Sequence, residues 1–249
     1  MRTGKKPVLY LRNKTMKFDI LFEDDHILVC YKPAGVPTQT SKLGQQDMVS
    51  LLKNYLYKKQ TEKKEPYVGV IHRLDQPVEG LLVFAKTPFA AKELSVQVQR
   101  GTYFGKYYKA VLLGVLEQKQ GTLENYLVKD GRTNTSRVCD KTEKDAKKAV
   151  LNYEVVGQGV DEEQKISIAN IKLDTGRHHQ IRVQMAHMGH PILGDSKYSS
   201  MSQERNAGGQ VALCAYRLEF AHPKTKKNMV FEIEPKGAGF CLDKNGKFQ

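Results

Sequence analysis

Short runs of β-branched and aromatic residues recur along this chain, with only a few helix-period stretches between them and no regular strand–helix–strand alternation. That order constrains the fold more than any other feature. Parallel strands need a long crossover after each one, and the regular alternation that this would leave in the sequence is absent. The pattern predicts an α+β fold on a mixed, mainly antiparallel sheet with flanking helices.

The punctuation places the elements. Residues 18–32 (FDILFEDDHILVCYK) read as strand, Asp24-Asp25 turn and strand, ended by the Lys32-Pro33-Ala34-Gly35 loop. Behind an Asp47 cap, Met48, Leu51, Leu52, Tyr55 and Leu56 recur at helical spacing through Lys59. A strand is predicted over 81–86. Thr87 and Pro88 then open a helix that Gly101 closes. The run GKYYKAVLLG at 105–114 predicts a strand with Tyr108, Ala110 and Leu112 on one face. Polar residues fill 129–148, which reads as an exposed loop or hairpin tip. Further strands are predicted near 149–157, 165–173, 211–220 and 228–234. A helix opened by Asp174 or Thr175 and closed by Gly189 and Pro191 lies between them.

Length and charge set the function classes. The 249 residues suffice for one catalytic domain, expected over 18–249. Residues 1–17 form a basic arm carrying Arg2, Lys5, Lys6, Arg12, Lys14 and Lys17 and no acid. No apolar run is long enough to span a bilayer, and four scattered cysteines form no Cys-x-x-Cys pair. A reducing cytoplasm is the expected compartment, and no partner at a membrane is expected. A net charge of +13 calls for a polyanionic partner, with nucleic acid favoured.

Candidate chemistry narrows quickly. His178, His179, His187 and His190 cluster in sequence, but on one helix they are too far apart to share an ion, and no metal is expected. No G-x-G-x-x-G or Walker loop occurs, so no nucleotide cofactor is expected, and no G-x-S-x-G supports a serine nucleophile. Asp75, in VIHRLDQPVEGLLVFAK, has three readings: a turn-former, half of a glycosidase pair with Glu79, or a lone nucleophile. Arg182 lies among Ile181, Val183, Met185 and Met188, and a guanidinium there needs an anion. Asp174, Asp195 and Asp75 are the candidates.

Several blocks in order carry a resemblance: EDDHILVCYKPAGVP (23–37), HRLD (72–75) with GLLVFAK (80–86), KYYKA (106–110) and GRHHQIRVQMAHMGHPILGDSKY (176–198). From about Phe18 to Pro235 the chain resembles the RluA family of pseudouridine synthases. The resemblance implies a cofactor-free enzyme that isomerises uridine to pseudouridine within RNA, ribosomal or transfer, on a bent, mainly antiparallel sheet. Nothing in the sequence points to an obligate dimer, and a monomer is expected. It implies Asp75 as nucleophile, Tyr108 against the flipped uracil, Arg182 paired with Asp75, and Arg73 in the gap left by the extruded base. His72 beside it, Lys32 of the KPAG loop and Arg177 are further candidates for RNA contact, and Gln180 for shaping the helix start beside the RNA. Attack at C1′, attack at C6 and removal of the 2′ proton all stay open as routes. Two departures from the family pattern stand out: Val78-Glu79 replaces the common Thr-Ser, and Gln184 replaces a frequent histidine. Seventeen residues are too few for the small RNA-binding domain of many relatives, so RNA targeting is expected from the core and its insertions.

Overall fold

The computed structural model describes residues 18–62, 64–161, 164–199 and 210–240. The basic arm, the Gly208-Gly209 pair and Cys241 lie outside them. In chain order the elements are β1 (Asp19–Glu23), β2 (Ile27–Lys32), α1 (Met48–Lys59), β3 (Gly69–Val70), β4 (Glu79–Ala85) and α2 (Pro88–Arg100). They continue with β5 (Gly105–Leu113), β6 (Gln120–Asp130), β7 (Thr135–Cys139), β8 (Lys147–Asp161), β9 (Gln164–Leu173), α3 (Gln180–His187), β10 (Leu213–Ala221) and β11 (Asn228–Glu232).

The strands join one sheet in the order β1-β2-β4-β10-β5-β9-β8-β6-β7, with β3 on β4 and β11 on β10. Only β4 and β10 pair in parallel among the described strands, so the sheet is mixed and mainly antiparallel, as the sequence predicts. Register shifts in β1, β8 and β10 mark bulges, which bend the strands that carry them.

Glycine is required where β4 meets β10. Gly80 has φ +131°, and a Cβ there would stand 2.5 Å from the backbone N and O of Ala215. No other residue fits this approach. The contact anchors the end of the Asp75 turn to the middle of the sheet.

Both faces of the sheet are covered. On one, Met48, Leu52 and Leu56 of α1 and Ile181 and Met185 of α3 pack with Leu74, Val78, Tyr108, Ala110 and Leu112. On the other, Ala90 and Leu94 of α2 pack with Val29, Leu81, Val83 and Phe104. Burying one leucine such as Leu52 contributes about 1.5–3 kcal/mol, so each stripe holds its helix against the loss of chain entropy. The predicted caps form: Asp47 caps α1, with Ser50 completing a capping box not predicted from the sequence, Thr87 accepts from Ala90 N, and Gly101 ends α2 at φ +65°.

Two expectations are corrected. Residues 129–148 are not one loop: β6 ends, β7 forms and β8 begins within them, leaving 140–146 as the longest connection. Leu127 and Ala149 pack on Val183 of α3 in a small separate cluster, so few apolar positions mark this hairpin. The helix also begins later than Asp174 or Thr175. Asp174 N and Thr175 N both donate to Val150 O of β8, and Gln180 Oε1 accepts from Arg177 N, so the segment before α3 is tied to the sheet and to the helix end as a loop. His179 is the N-cap, with φ +53°.

Candidate active site

The Asp75 turn is held from below by the KPAG loop. Thr38 Oγ1 donates to Leu74 O and accepts from Leu74 N, at 3.0 and 3.1 Å. On the other side Gly35 N donates to Gln76 O at 2.8 Å, and Gln76 Nε2 returns a bond to Gly35 O. Val78 N closes the turn on Asp75 O at 3.1 Å, while Leu74 and Val78 bury their side chains. With its neighbours pinned, Asp75 presents a carboxylate that is 29% exposed.

Across from it stands Arg182, 4% exposed. Its Nη1 donates to Asp75 Oδ2 at 3.3 Å. Its Nε and Nη2 donate to Asp195 Oδ2 and Oδ1 at 2.6 and 2.7 Å. Thus Arg182 bridges two carboxylates, and the fully buried Asp195 holds the shorter, bidentate pair. Against the burial that would pull it down, Asp195 and then Asp75 push the guanidinium pKa up. Asp195 sits behind Gly194, whose φ is +77° and whose Cβ would strike Gln210 O at 2.2 Å.

Two more side chains complete this wall. His179 Nε2 lies 3.6 Å from Asp75 Oδ2, and His179 Nδ1 lies 2.7 Å from Tyr198 Oη. Tyr198 Oη also accepts from Ser136 N at 2.8 Å. Burial, then Arg182, pull His179 down to about 3, so the ring is neutral near pH 7. The network assigns its proton to Nε2, toward the carboxylate, with Tyr198 donating to Nδ1. His178 stacks on His179 with ring centroids 3.8 Å apart and bonds Ser136 Oγ through Nδ1. Arg182 also lies over the Tyr198 ring, 5.2 Å from its centre.

Tyr108 closes the floor. It is buried, and its hydroxyl makes no hydrogen bond among the described residues. Burial first, and then the Asp75 charge, raise its pKa, which keeps the phenol neutral.

The structure sorts the remaining sequence candidates. Arg73 is exposed and has no partner among the described residues. Arg177 is exposed too, and its Nε donates to Lys148 O at 2.8 Å. Lys32, His72 and Gln180 are placed otherwise than as RNA contacts. Lys32 is fully buried, its Nζ donating to Pro33 O, Val36 O and Gln76 O at 3.0, 2.7 and 3.1 Å. Burial outweighs the opposing charges of Asp75 and Glu79 and leaves it lowered to about 7, while three carbonyl acceptors suit the protonated form. His72 turns its ring inward: Nε2 accepts from Val83 N, and the ring packs edge-on to Phe104. Gln180 spends its amide on Arg177 N, Thr175 Oγ1 and Val150 O, which makes it the clamp of the loop before α3.

Both departures from the family pattern become structural. Glu79 is buried and accepts from Tyr31 Oη, Lys236 N and Gly237 N, which fastens the C-terminal segment to β4. Its oxygens are occupied away from Asp75, so the two acids form no glycosidase pair. Gln184 Nε2 donates to Asn125 Oδ1 and Leu123 O and stitches α3 to β6. His179 and Tyr198 escaped sequence reasoning, although GRHHQIR and GDSKY hold both. Asp195 entered it only as one possible partner for Arg182.

A family model described as RNA pseudouridylate synthase matches residues 26–187. An uncharacterized RNA pseudouridine synthase of Bacillus subtilis, YhcT, is 35% identical over 216 residues, covering 87% of this chain and 68% of that protein. Ribosomal large subunit pseudouridine synthase D of Pseudomonas aeruginosa is 33% identical, over 87% of this chain and 68% of its own. The dual-specificity RNA pseudouridine synthase RluA of Vibrio parahaemolyticus is 34% identical, over 83% and 79%. In fold, human RNA pseudouridylate synthase domain containing 1 superposes with a TM-score of 0.72 at 20% identity, covering 94% of this chain and 86% of that one. With family model, relatives and fold in agreement, the chain belongs to the RluA family of RNA pseudouridine synthases, enzymes that isomerise uridine within RNA.

Proposed function

We propose that Asp75 is the nucleophilic carboxylate of this synthase, acting on a uridine turned out of its RNA stack, with Arg182 orienting it and Tyr108 lining the uracil pocket. One observation carries the reading: a part-exposed carboxylate is held by a buried guanidinium whose charge a second, buried acid already balances. Asp195 meets the need of Arg182 for a counter-ion, so Asp75 is left with one long bond and open access. A carboxylate that merely neutralised the arginine would have taken the bidentate position.

The reaction conserves the atoms of the nucleoside apart from one exchange. The N1–C1′ bond breaks, a C1′–C5 bond forms, the C5 proton leaves to water and N1 takes up a proton in exchange. A base stacked in RNA cannot reach a buried floor such as Tyr108, so extrusion precedes the chemistry. Arg73 is exposed two residues before Asp75, which supports a role for it in filling the vacated stack. The net charge of +13 suits binding to the RNA backbone. Relatives bearing the names of large-subunit enzymes make large-subunit ribosomal RNA the first substrate class to offer, with transfer RNA second.

The test uses unmodified transcripts of both RNAs carrying tritium at uridine C5. The wild-type chain releases tritium to water, and Asp75→Asn releases none while still binding RNA. Undiminished release by Asp75→Asn would overturn the assignment of the nucleophile.

A further inference from the structure

We propose that Lys106, together with Arg177, forms a phosphate subsite that holds the RNA backbone beside the extruded uridine. The proposal rests on the reading just given and adds to it a residue and a ligand group.

Lys106 lies on β5 two residues before Tyr108, so both side chains leave the same face of the sheet, about 7 Å apart along the strand. It is half-buried, yet it makes no hydrogen bond or ion pair among the described residues. No other lysine or arginine withdrawn from the surface there is in that position. Lys32 has its carbonyls, Lys53 has Glu65, Lys86 has Glu23, Lys109 has Glu234, Arg182 has Asp195 and Arg217 has Glu219. A half-buried ammonium without an acceptor is costly, and a fold that needed only packing would place an apolar residue there.

Its surroundings make the deficit larger. A Cβ on Gly176 would stand 3.0 Å from Lys106 Nζ, so the backbone leading to Arg177 passes directly beside the ammonium. The Arg177 guanidinium is tethered through Nε alone, and its two terminal nitrogens have no partner among the described residues. After burial, Arg177 is the strongest influence pulling Lys106 down, and only Asp174 opposes it. That acid is itself engaged by Asn152 Nδ2 at 2.8 Å. On the remaining side His72 is neutral, pulled down to about 3 by burial and then by Lys106, so it offers no negative charge.

Two cations with unused donors influence one another, and Lys106 shares the Tyr108 face of β5. A phosphate oxygen satisfies both at once, since an ammonium and a guanidinium edge each donate to it. The substrate carries a phosphate on each side of every uridine. The subsite therefore takes the backbone phosphate nearest the extruded base and fixes how far the base reaches into the pocket.

The test measures binding of an unmodified large-subunit ribosomal RNA transcript in the Asp75→Asn background, from about 50 to 300 mM salt. Lys106→Met is expected to weaken binding about 5- to 10-fold at low salt and to flatten the log–log salt slope by about 1. Lys106→Arg restores both, and adding Arg177→Gln to Lys106→Met flattens the slope by about one more unit. The Tm of Lys106→Met stays level or rises, because an unpaired charge has been removed. An unchanged slope and affinity in Lys106→Met would overturn the proposal, as would a fall in Tm with the slope intact, which marks a structural lysine. If Lys106→Met fails to fold, an unchanged slope on Arg177→Gln alone overturns it. Tritium release by the wild-type chain on the same transcript is read alongside: its absence strikes the synthase reading, whereas the slope decides the subsite.

Discussion

Arg182 and Asp195 meet through two hydrogen bonds of 2.6 and 2.7 Å, with 4% and 0% of their side chains exposed. This buried pair is the hub of the site, because it sets where the guanidinium stands before Asp75 is considered. Removing one partner of such a pair leaves an uncompensated charge. Asp195→Ala is therefore expected to destabilise the fold by about 3–5 kcal/mol and to abolish turnover. Urea unfolding followed by circular dichroism gives the first quantity and tritium release the second. A loss below about 1 kcal/mol would mean that the pair does not hold the arginine.

Asp75→Asn should behave differently. Asp195 still balances Arg182, and the lost contact is single, long and part-exposed. Its stability is expected within about 1 kcal/mol of the wild type, since part-exposed ion pairs contribute little. A melting curve separates this variant from Asp195→Ala even though both are inactive.

Tyr108 allows ring and hydroxyl to be separated. Its hydroxyl has no partner among the described residues, so Tyr108→Phe should keep its Tm, while Tyr108→Ala loses about 3–5 kcal/mol. If the phenol serves in proton transfer, Tyr108→Phe slows turnover about 100-fold or more. Equal turnover of Tyr108→Phe and wild type would limit Tyr108 to shaping the pocket.

Glu79→Gln tests the older alternative of paired carboxylates. Glu79 accepts from Tyr31 Oη and from Lys236 N and Gly237 N, so its loss should loosen the C-terminal segment at a cost on the order of 2–3 kcal/mol. Turnover per folded molecule stays near the wild-type value. A collapse of turnover in a fully folded Glu79→Gln sample would return this acid to the chemistry.

Acid stability follows from two histidines. His72 and His179 are both pulled down to about 3, chiefly by burial, against about 6.5 for an unfolded chain. Between those values the unfolded chain binds protons that the fold does not. Stability therefore rises with pH across that window and is lost as pH falls, by up to about 1.4 kcal/mol per pH unit for each histidine. Urea midpoints measured from pH 4 to 7 check the slope, and His72→Gln should reduce it.

Much of the scaffold was legible because its signals are local. Asp47, Thr87 with Pro88, and Gly101 act within a turn of their own positions, so α1 starts, and α2 starts and stops, where those residues stand. The face shared by Tyr108, Ala110 and Leu112 follows from strand period alone. The start of α3 failed because its competitor, Val150 O, lies on another strand. The exposed hairpin tip at 131–134 was legible, but the strands flanking it within 129–148 were not, because their apolar contacts are few and reach a distant helix.

In the same way, the sequence alone determined the sheet class, the acid at 75 and the arginine at 182, since period, turn chemistry and the order of motifs are properties of neighbours along the chain. Tertiary structure decided which acid holds that arginine, which left Glu79 as a clamp, enclosed Lys32 in carbonyls and set Lys106 without a partner. Charge pairing depends on distances of a few ångströms between residues far apart along the chain, 107 positions for Arg182 and Asp75, and no local pattern records those distances.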